Sequence, residues 1–228
     1  MLDFTPADYS AMYLSLKVAV TATLLSLPFG FAVAYLMTFR RFRGRIALDV
    51  AVNLPLTLPP VVIGFLLLIL FGQQGPIGRL VLQPLGIKLI FTWKAAVIAT
   101  SVVGFPLMVR SIRTAMEAID ERLVQVSRLL GARMLDRIIT VIVPLSVRGI
   151  IAGSALMFAR GLGEFGATII VAGNIPGVTQ TIPLAIYEYV SSPKGDVMAL
   201  SLCAVSIAIS VVVLVFHEWL GRHIVRSD

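Results

Sequence analysis

Val197-Met-Ala-Leu-Ser-Leu-Cys-Ala-Val-Ser-Ile-Ala-Ile-Ser-Val-Val-Val-Leu-Val-Phe216 is a run of twenty residues without a charged side chain. Wound as a helix at about 1.5 Å per residue, it is about 30 Å long, the thickness of the hydrocarbon core of a bilayer. Four more stretches read the same way: residues 14–39, 48–71, 89–109 and 149–172, the last of which carries charges. The expected fold is therefore an all-α integral membrane protein. It is a bundle of five transmembrane helices forming one domain over residues 1–228.

The composition demands the same solvent. Apolar residues make up 58% of the chain and charged residues 14%, against roughly 45–50% and 25% in an average soluble domain. A soluble chain of this size has too little interior to hide that much hydrocarbon. The first stretch does not read as a cleaved signal peptide. Asp3 and Asp8 precede it, no basic residue comes before Lys17, and the basic run follows it.

The net charge of +7 sits in short segments between the apolar runs. That is the pattern of cytoplasmic membrane loops, not of a nucleic-acid-binding face. Thirteen Lys and Arg residues follow spans one, three and five, and four lie in the other loops. The N-terminus is accordingly expected in the periplasm and the C-terminus in the cytoplasm. Cys203, lying alone in an apolar run, reads as a small buried side chain. His217 and His223 are six apart, do not stack on one helical face, and read as juxtamembrane residues. No metal site is expected.

Two spans carry features that a plain membrane anchor does not need. Span two contains Asn53-Leu-Pro55-Leu-Thr-Leu-Pro59-Pro60. Each internal proline removes a backbone donor and crowds the preceding turn. Freed carbonyls in lipid must find partners, so such a break belongs against protein or water. Pro55, Pro59 and Pro60 mark either a bent, pore-lining or gating helix, or a kink that only improves packing. Gly104-Phe105-Pro106 is a milder break in span three. Span four contains Ala159-Arg160-Gly-Leu-Gly163-Glu164-Phe-Gly166-Ala-Thr168. A lone charge at the bilayer centre costs about 2.5–3.5 kcal/mol. Arg160 and Glu164, four apart, are expected to share a helix face and to pair. Arg160, Glu164 and Thr168 then lie on a transport path, where the guanidinium favours an anion, or they lock the bundle.

Between spans three and four runs Glu117-Ala-Ile-Asp-Glu-Arg-Leu-Val-Gln-Val-Ser-Arg-Leu-Leu-Gly131-Ala-Arg, continuing to Val141-Ile-Val-Pro144. Ile119, Leu123, Val126 and Leu130 recur at steps of four, three and four, an amphipathic helix with one apolar stripe. Gly131 is placed to end it in a left-handed conformation. A second short helix from about Met134 leads to Pro144 and back into the membrane. Two readings fit this helix–turn–helix: a hairpin lying on the lipid surface, or a docking element for a soluble partner.

The loop resembles the cytoplasmic signature of ABC importer permeases, which runs Glu-Ala-Ala, three residues, Gly, nine residues, Ile, one residue, Leu-Pro. Gln125-Val126-Ser127 stand where Glu-Ala-Ala is the rule, Gly131 matches and Ala132 follows it. Val141-Ile-Val143-Pro144 replaces the end of the pattern. The segments Leu54-Pro-Leu-Thr-Leu-Pro-Pro-Val-Val, Phe105-Pro-Leu-Met-Val-Arg-Ser-Ile-Arg, Ala159-Arg-Gly-Leu-Gly-Glu-Phe-Gly-Ala-Thr and Asn174-Ile-Pro-Gly resemble the molybdate permeases of that class. The resemblance implies a non-catalytic transport subunit. Its expected partners are a second copy of itself, two cytoplasmic ABC ATPase subunits, a periplasmic molybdate-binding protein and membrane lipid, with no nucleic acid. It implies no cofactor bound by this chain, ATP and Mg being used by the ATPase. Gln125, Val126, Ser127, Gly131, Ala132, Val141 and Pro144 become the expected coupling residues. The sequence itself contains no Gly-x-x-x-x-Gly-Lys-Ser/Thr phosphate loop. Sulfate and tungstate permeation, an ion-coupled transporter working without an ATPase, and a non-transporting assembly subunit are the competing readings.

Overall fold

The computed structural model describes residues 4–193 and 195–225. Asp3, Lys194 and Arg226, used above, lie outside that set, as do the side chains of His217, Arg222 and His223. All regular structure among the described residues is helical.

Helix α1, Pro6–Phe39, opens with a capping box in which Thr5 and Asp8 satisfy each other's backbone and side-chain groups. It therefore starts two turns ahead of the apolar run that betrays it in sequence. Helix α2, Arg45–Thr57, and α3, Pro60–Phe71, are the two halves of the second stretch, bent through 116° at Leu58 and Pro59. The break expected from the prolines is thus a sharp one, and the stretch 48–71 counts as one span only when the bent pair is taken together. Pro60 lacks the N–H that would carry α2 onward, while its fixed φ suits a first helical turn. Four helical segments are long and apolar enough to cross a membrane on their own, and the bent pair makes up to five.

A π-helical turn, Gly78–Leu82, precedes α4, Trp93–Glu117. Residues 89–92, expected as the outer part of span three, are not helical; α4 instead runs unbroken through Pro106 to Glu117. Helix α5, Glu121–Leu129, is followed by α6, Met134–Arg137, a π-turn Ile138–Ile142, and α7, Val143–Leu162. Residues 134–162 thus form one helical rod. The wide turn, closed by the Val143 N–H on the Ile138 carbonyl, comes just before Pro144. Pro144 cannot donate, and its ring would crowd the carbonyl four residues back in a regular α-turn. Span four is therefore displaced: the rod ends at Leu162, and α8, Gly166–Ala172, is a separate helix. Gly163 and Gly166, which permit a local unwinding, flank that break. Helices α9, Ile182–Val190, and α10, Asp196–Val225, complete the chain.

Helices α1, α4 and α7 form the heart of the bundle. Ala19 and Ala22 of α1 and Ala96 and Ala99 of α4 are fully buried, so the backbones meet over small side chains, as helices in lipid do. Large apolar residues face outward in quantity, among them Leu24, Phe65, Leu200 and Val212. In water that surface would drive aggregation; against lipid or another membrane subunit it costs nothing.

Candidate functional site

The elbow between α4 and α7 is built by local chemistry. Asp120 caps α5 by accepting from the Arg122 N–H at 2.9 Å, and Glu121 in its first turn and Arg128 in its last complement the helix dipole. At its end the Gly131 N–H donates to the Arg128 carbonyl and the Ala132 N–H to the Ser127 carbonyl, both at 3.0 Å. That pair of bonds is a Schellman cap. It puts Gly131 at φ +84°, a conformation that glycine adopts freely and, among residues with a side chain, asparagine best tolerates. The Arg133 N–H then donates to Asp136 at 3.1 Å and starts α6. Ser127 is buried, its hydroxyl bonded to the Val124 carbonyl at 2.8 Å, while Gln125 is exposed. Ala132 and Val141 are half-buried, and Pro144 lies exposed where the rod leaves the elbow.

The apolar stripe of this helix faces away from the bundle. Leu123 and Val126 are 50% exposed, and Leu129 and Leu130 are 86% and 83% exposed. Leu135 and Ile139, next along the rod, are bare as well. Ile119, expected in the same stripe, precedes the Asp120 cap and is buried in the bundle core. The elbow therefore presents leucines outward on a short rigid helix pinned by caps at both ends.

A second constellation joins the two helix breaks. Arg160 Nη1 stands 2.7 Å from Glu164 Oε2, as expected, but Glu164 lies beyond the end of α7 and not on its face. The contact is close without the alignment of a hydrogen bond, since that oxygen has no such partner. The other oxygen, Oε1, accepts from the Ala167 N–H at 2.8 Å and so caps α8. Glu164 is almost wholly buried and Arg160 about one third exposed. A Cβ on Gly166 would stand 3.0 Å from Pro60 Cβ, and one on Gly64 2.7 Å from the Ala167 carbonyl oxygen. The break before α3 and the break before α8 thus rest on each other. Thr168 is buried in α8. Pro60 joins this group; Pro59 is exposed beside it, and Pro55 sits across the bend within α2.

Several contacts were invisible to sequence reading. Lys17, a charge inside α1, lies with its Nζ 4.0 Å from the centroid of the Trp93 ring, a cation–π contact that removes the need for an anionic partner. Arg113 bridges α2 and α4 through Asp49 at 3.3 Å and Glu117 at 2.7 Å. The Asp49 partner stands 64 positions away and no local spacing announces it, whereas Glu117 is four residues on, at helical spacing.

The comparisons with known proteins agree with this architecture. The family described as binding-protein-dependent transport system inner membrane component matches residues 26–226. The Escherichia coli K12 protein named molybdenum transport system permease protein ModB is 47% identical over 218 residues, covering 96% of this chain and 95% of its own length. Its Haemophilus influenzae namesake is 45% identical over 220 residues, 96% of each chain. Among solved structures, the inward-facing MetNI methionine ABC transporter superposes with a TM-score of 0.75 over 94% of each chain at 14% identity. A bacterial ABC transporter that imports alginate also gives 0.75, at 16% identity, over 97% of this chain and 81% of its own. At those identities the structures speak for the fold alone, and the fold is theirs. By the family match and by its relatives, the chain belongs to the inner-membrane components of binding-protein-dependent transport systems.

Proposed function

We propose that the chain is the membrane-spanning permease subunit of an ATP-driven importer that carries molybdate from the periplasm to the cytoplasm. The observation that carries the reading is the elbow: a capped helix whose leucines are turned away from its own bundle. An apolar helix face of that kind fits a groove on a soluble partner. With the N-terminus outside, the elbow lies in the cytoplasm, where ATP is available. The relatives named for molybdenum transport at 47% and 45% identity support the cargo.

In this reading two copies of the chain form the pathway, and two ATPase subunits, using ATP and Mg, grip the two elbows. A periplasmic protein delivers the oxyanion. Closure of the ATPases displaces α5, and the rod of residues 134–162 carries that displacement to the opposite end of the bundle. There it meets Glu164, and through Gly166 and Pro60 the broken pair α2–α3. A two-state packed element connecting both ends is what coupling requires. Arg160, held beside Glu164, acts first as a clasp of the helix break in this scheme. The periplasmic protein supplies affinity for the cargo, and the pathway needs only weak attraction.

The test is uptake of labelled molybdate into liposomes holding this chain, with and without an ABC ATPase and a periplasmic molybdate-binding protein from the same organism. ATP-dependent uptake requiring all components supports the reading, and competition by sulfate and tungstate ranks the oxyanions. Uptake by the chain alone, driven by an ion gradient, overturns it. A reporter enzyme fused after Asp228 and active only in the periplasm would overturn the orientation.

A further inference from the structure

A cleft of about 620 Å³ opens at the elbow end of the bundle, between the close of α1, the α1–α2 corner and α5. Arg40, Arg41 and Arg45 from the corner line it, with Arg128 from α5 and Arg137 from the start of the rod. None of the five has an ion-pair partner among the described residues. Arg40 makes only a 3.8 Å approach to the sulfur of Met134. Two carboxylates share the lining, Glu117 and Glu121, and Glu117 is already held by Arg113 at 2.7 Å. Helices α1 and α4 also end here, each contributing roughly half a negative charge. After these are counted, the cleft keeps an excess of about two positive charges.

A second observation is independent of charge. The Thr38 hydroxyl is buried without a hydrogen-bond partner, and Thr38 lines this cleft. Thr23, on the same helix, closes onto the carbonyl four residues back at 2.8 Å. Thr38 does not, and its donor is left over at the edge of a cationic cavity.

Unpaired guanidinium forks gathered from two sides of one cleft are the equipment for a tetrahedral oxyanion, because each fork can give two parallel N–H bonds to it. We propose that this cleft binds a phosphate-class oxyanion bridging the α1–α2 corner to the elbow. Two sources offer that group at this depth: the headgroup of an anionic phospholipid and dissolved phosphate. Because its arginines come from both sides, the bound anion holds α5 against the bundle and sets how readily the elbow moves. That consequence rests on the coupling role proposed above; the binding does not.

The test is arginine modification by phenylglyoxal on the full-length chain, mapped by mass spectrometry. Three preparations are compared: phosphatidylcholine nanodiscs, the same with phosphatidylglycerol, and phosphatidylcholine nanodiscs with inorganic phosphate. Arg128 and Arg137 are expected to react about fivefold more slowly at a ligand concentration of about four times Kd, the factor 1 + [L]/Kd. Arg122 and Arg133, exposed on the elbow outside the cleft, serve as the reference. Protection with phosphatidylglycerol only assigns the lipid source, and protection by phosphate in the neutral bilayer assigns the soluble one. Equal reactivity in all three preparations, or equal protection of Arg122 and Arg133, overturns the site. In Arg41→Gln/Arg45→Gln the protection of Arg128 and Arg137 is expected to disappear; its persistence would show that the two sides do not share one ligand. No transport is measured, so failure here leaves the importer reading standing, and failure of uptake leaves this one.

Discussion

Ser15 Oγ accepts a hydrogen bond from the Ile182 N–H at 2.7 Å, joining residues 167 positions apart. Ile182 is the first residue of α9, and Thr181 before it makes no side-chain cap. The unpaired donor that every helix start leaves behind, buried here, is thus satisfied from α1. Asp8, about two turns earlier on α1, reaches the same helix through the Tyr189 hydroxyl, which donates to Oδ1 at 3.0 Å. Two contacts therefore fasten α9 to α1.

Ser15→Ala leaves a buried N–H unpaired. The expected loss is about 1–3 kcal/mol, read as a lower melting temperature of the purified chain. An unchanged melting temperature would mean that another acceptor reaches Ile182 and that α9 is held elsewhere.

Tyr189 gives this fastening a pH dependence. Burial, and then its hydrogen bond to Asp8, raises its pKa above the ordinary 10.0. The unfolded chain therefore releases this proton first. The stabilisation is complete below pH 10 and is lost as pH rises through the raised folded value. As pH rises past 10.0 towards the raised folded value, the wild type should lose more stability than Tyr189→Phe, which has no proton to give up. Parallel losses in the two proteins would remove Tyr189 from the account.

Gly131→Val is expected to insert and assemble while ATP hydrolysis no longer drives uptake. No atom lies within 4 Å of a Cβ built there, so the obstacle is the left-handed backbone, a cost of about 1–2 kcal/mol. Gly131→Asn should keep most of the coupling, since asparagine visits that conformation. ATP turnover and uptake measured side by side decide the matter; full uptake by the valine variant would end the docking role of the elbow.

Glu164→Gln keeps an acceptor for the Ala167 N–H but strips Arg160 of its countercharge. Arg160 is about one third exposed, so the loss should fall below that of a fully buried pair, at about 2 kcal/mol. A double-mutant cycle with Arg160→Met should show the two positions coupled. Strict additivity would mean that the 2.7 Å contact stabilises nothing. Arg160→Lys with unchanged uptake and assembly would dispense with the guanidinium shape.

What the sequence discloses is local. The charge-free run to Phe216 and the cap at Gly131 follow from composition and spacing and are where those predict; Arg160 does pair with Glu164, but across the end of α7 instead of along a shared helix face. The end of α7 at Leu162 does not follow from them, because an apolar run with glycines reads alike whether straight or broken. Pro59 and Pro60 announce a bend, but its 116° is set by what α3 packs on, namely α8. The stripe of α5 was legible and its direction was not: periodicity defines a face without saying which neighbour it turns to. Arg40, Arg41 and Arg45 read only as a sign of orientation, since nothing in their own segment shows that Arg128 and Arg137 stand opposite.

The bare leucines of α5 carry a cost for the solitary chain. Leu129 and Leu130 are more exposed than most residues on the lipid-facing helices, yet they project from the loop side, where water meets them. Left uncovered, that face is an apolar patch in water, the kind of surface that drives association.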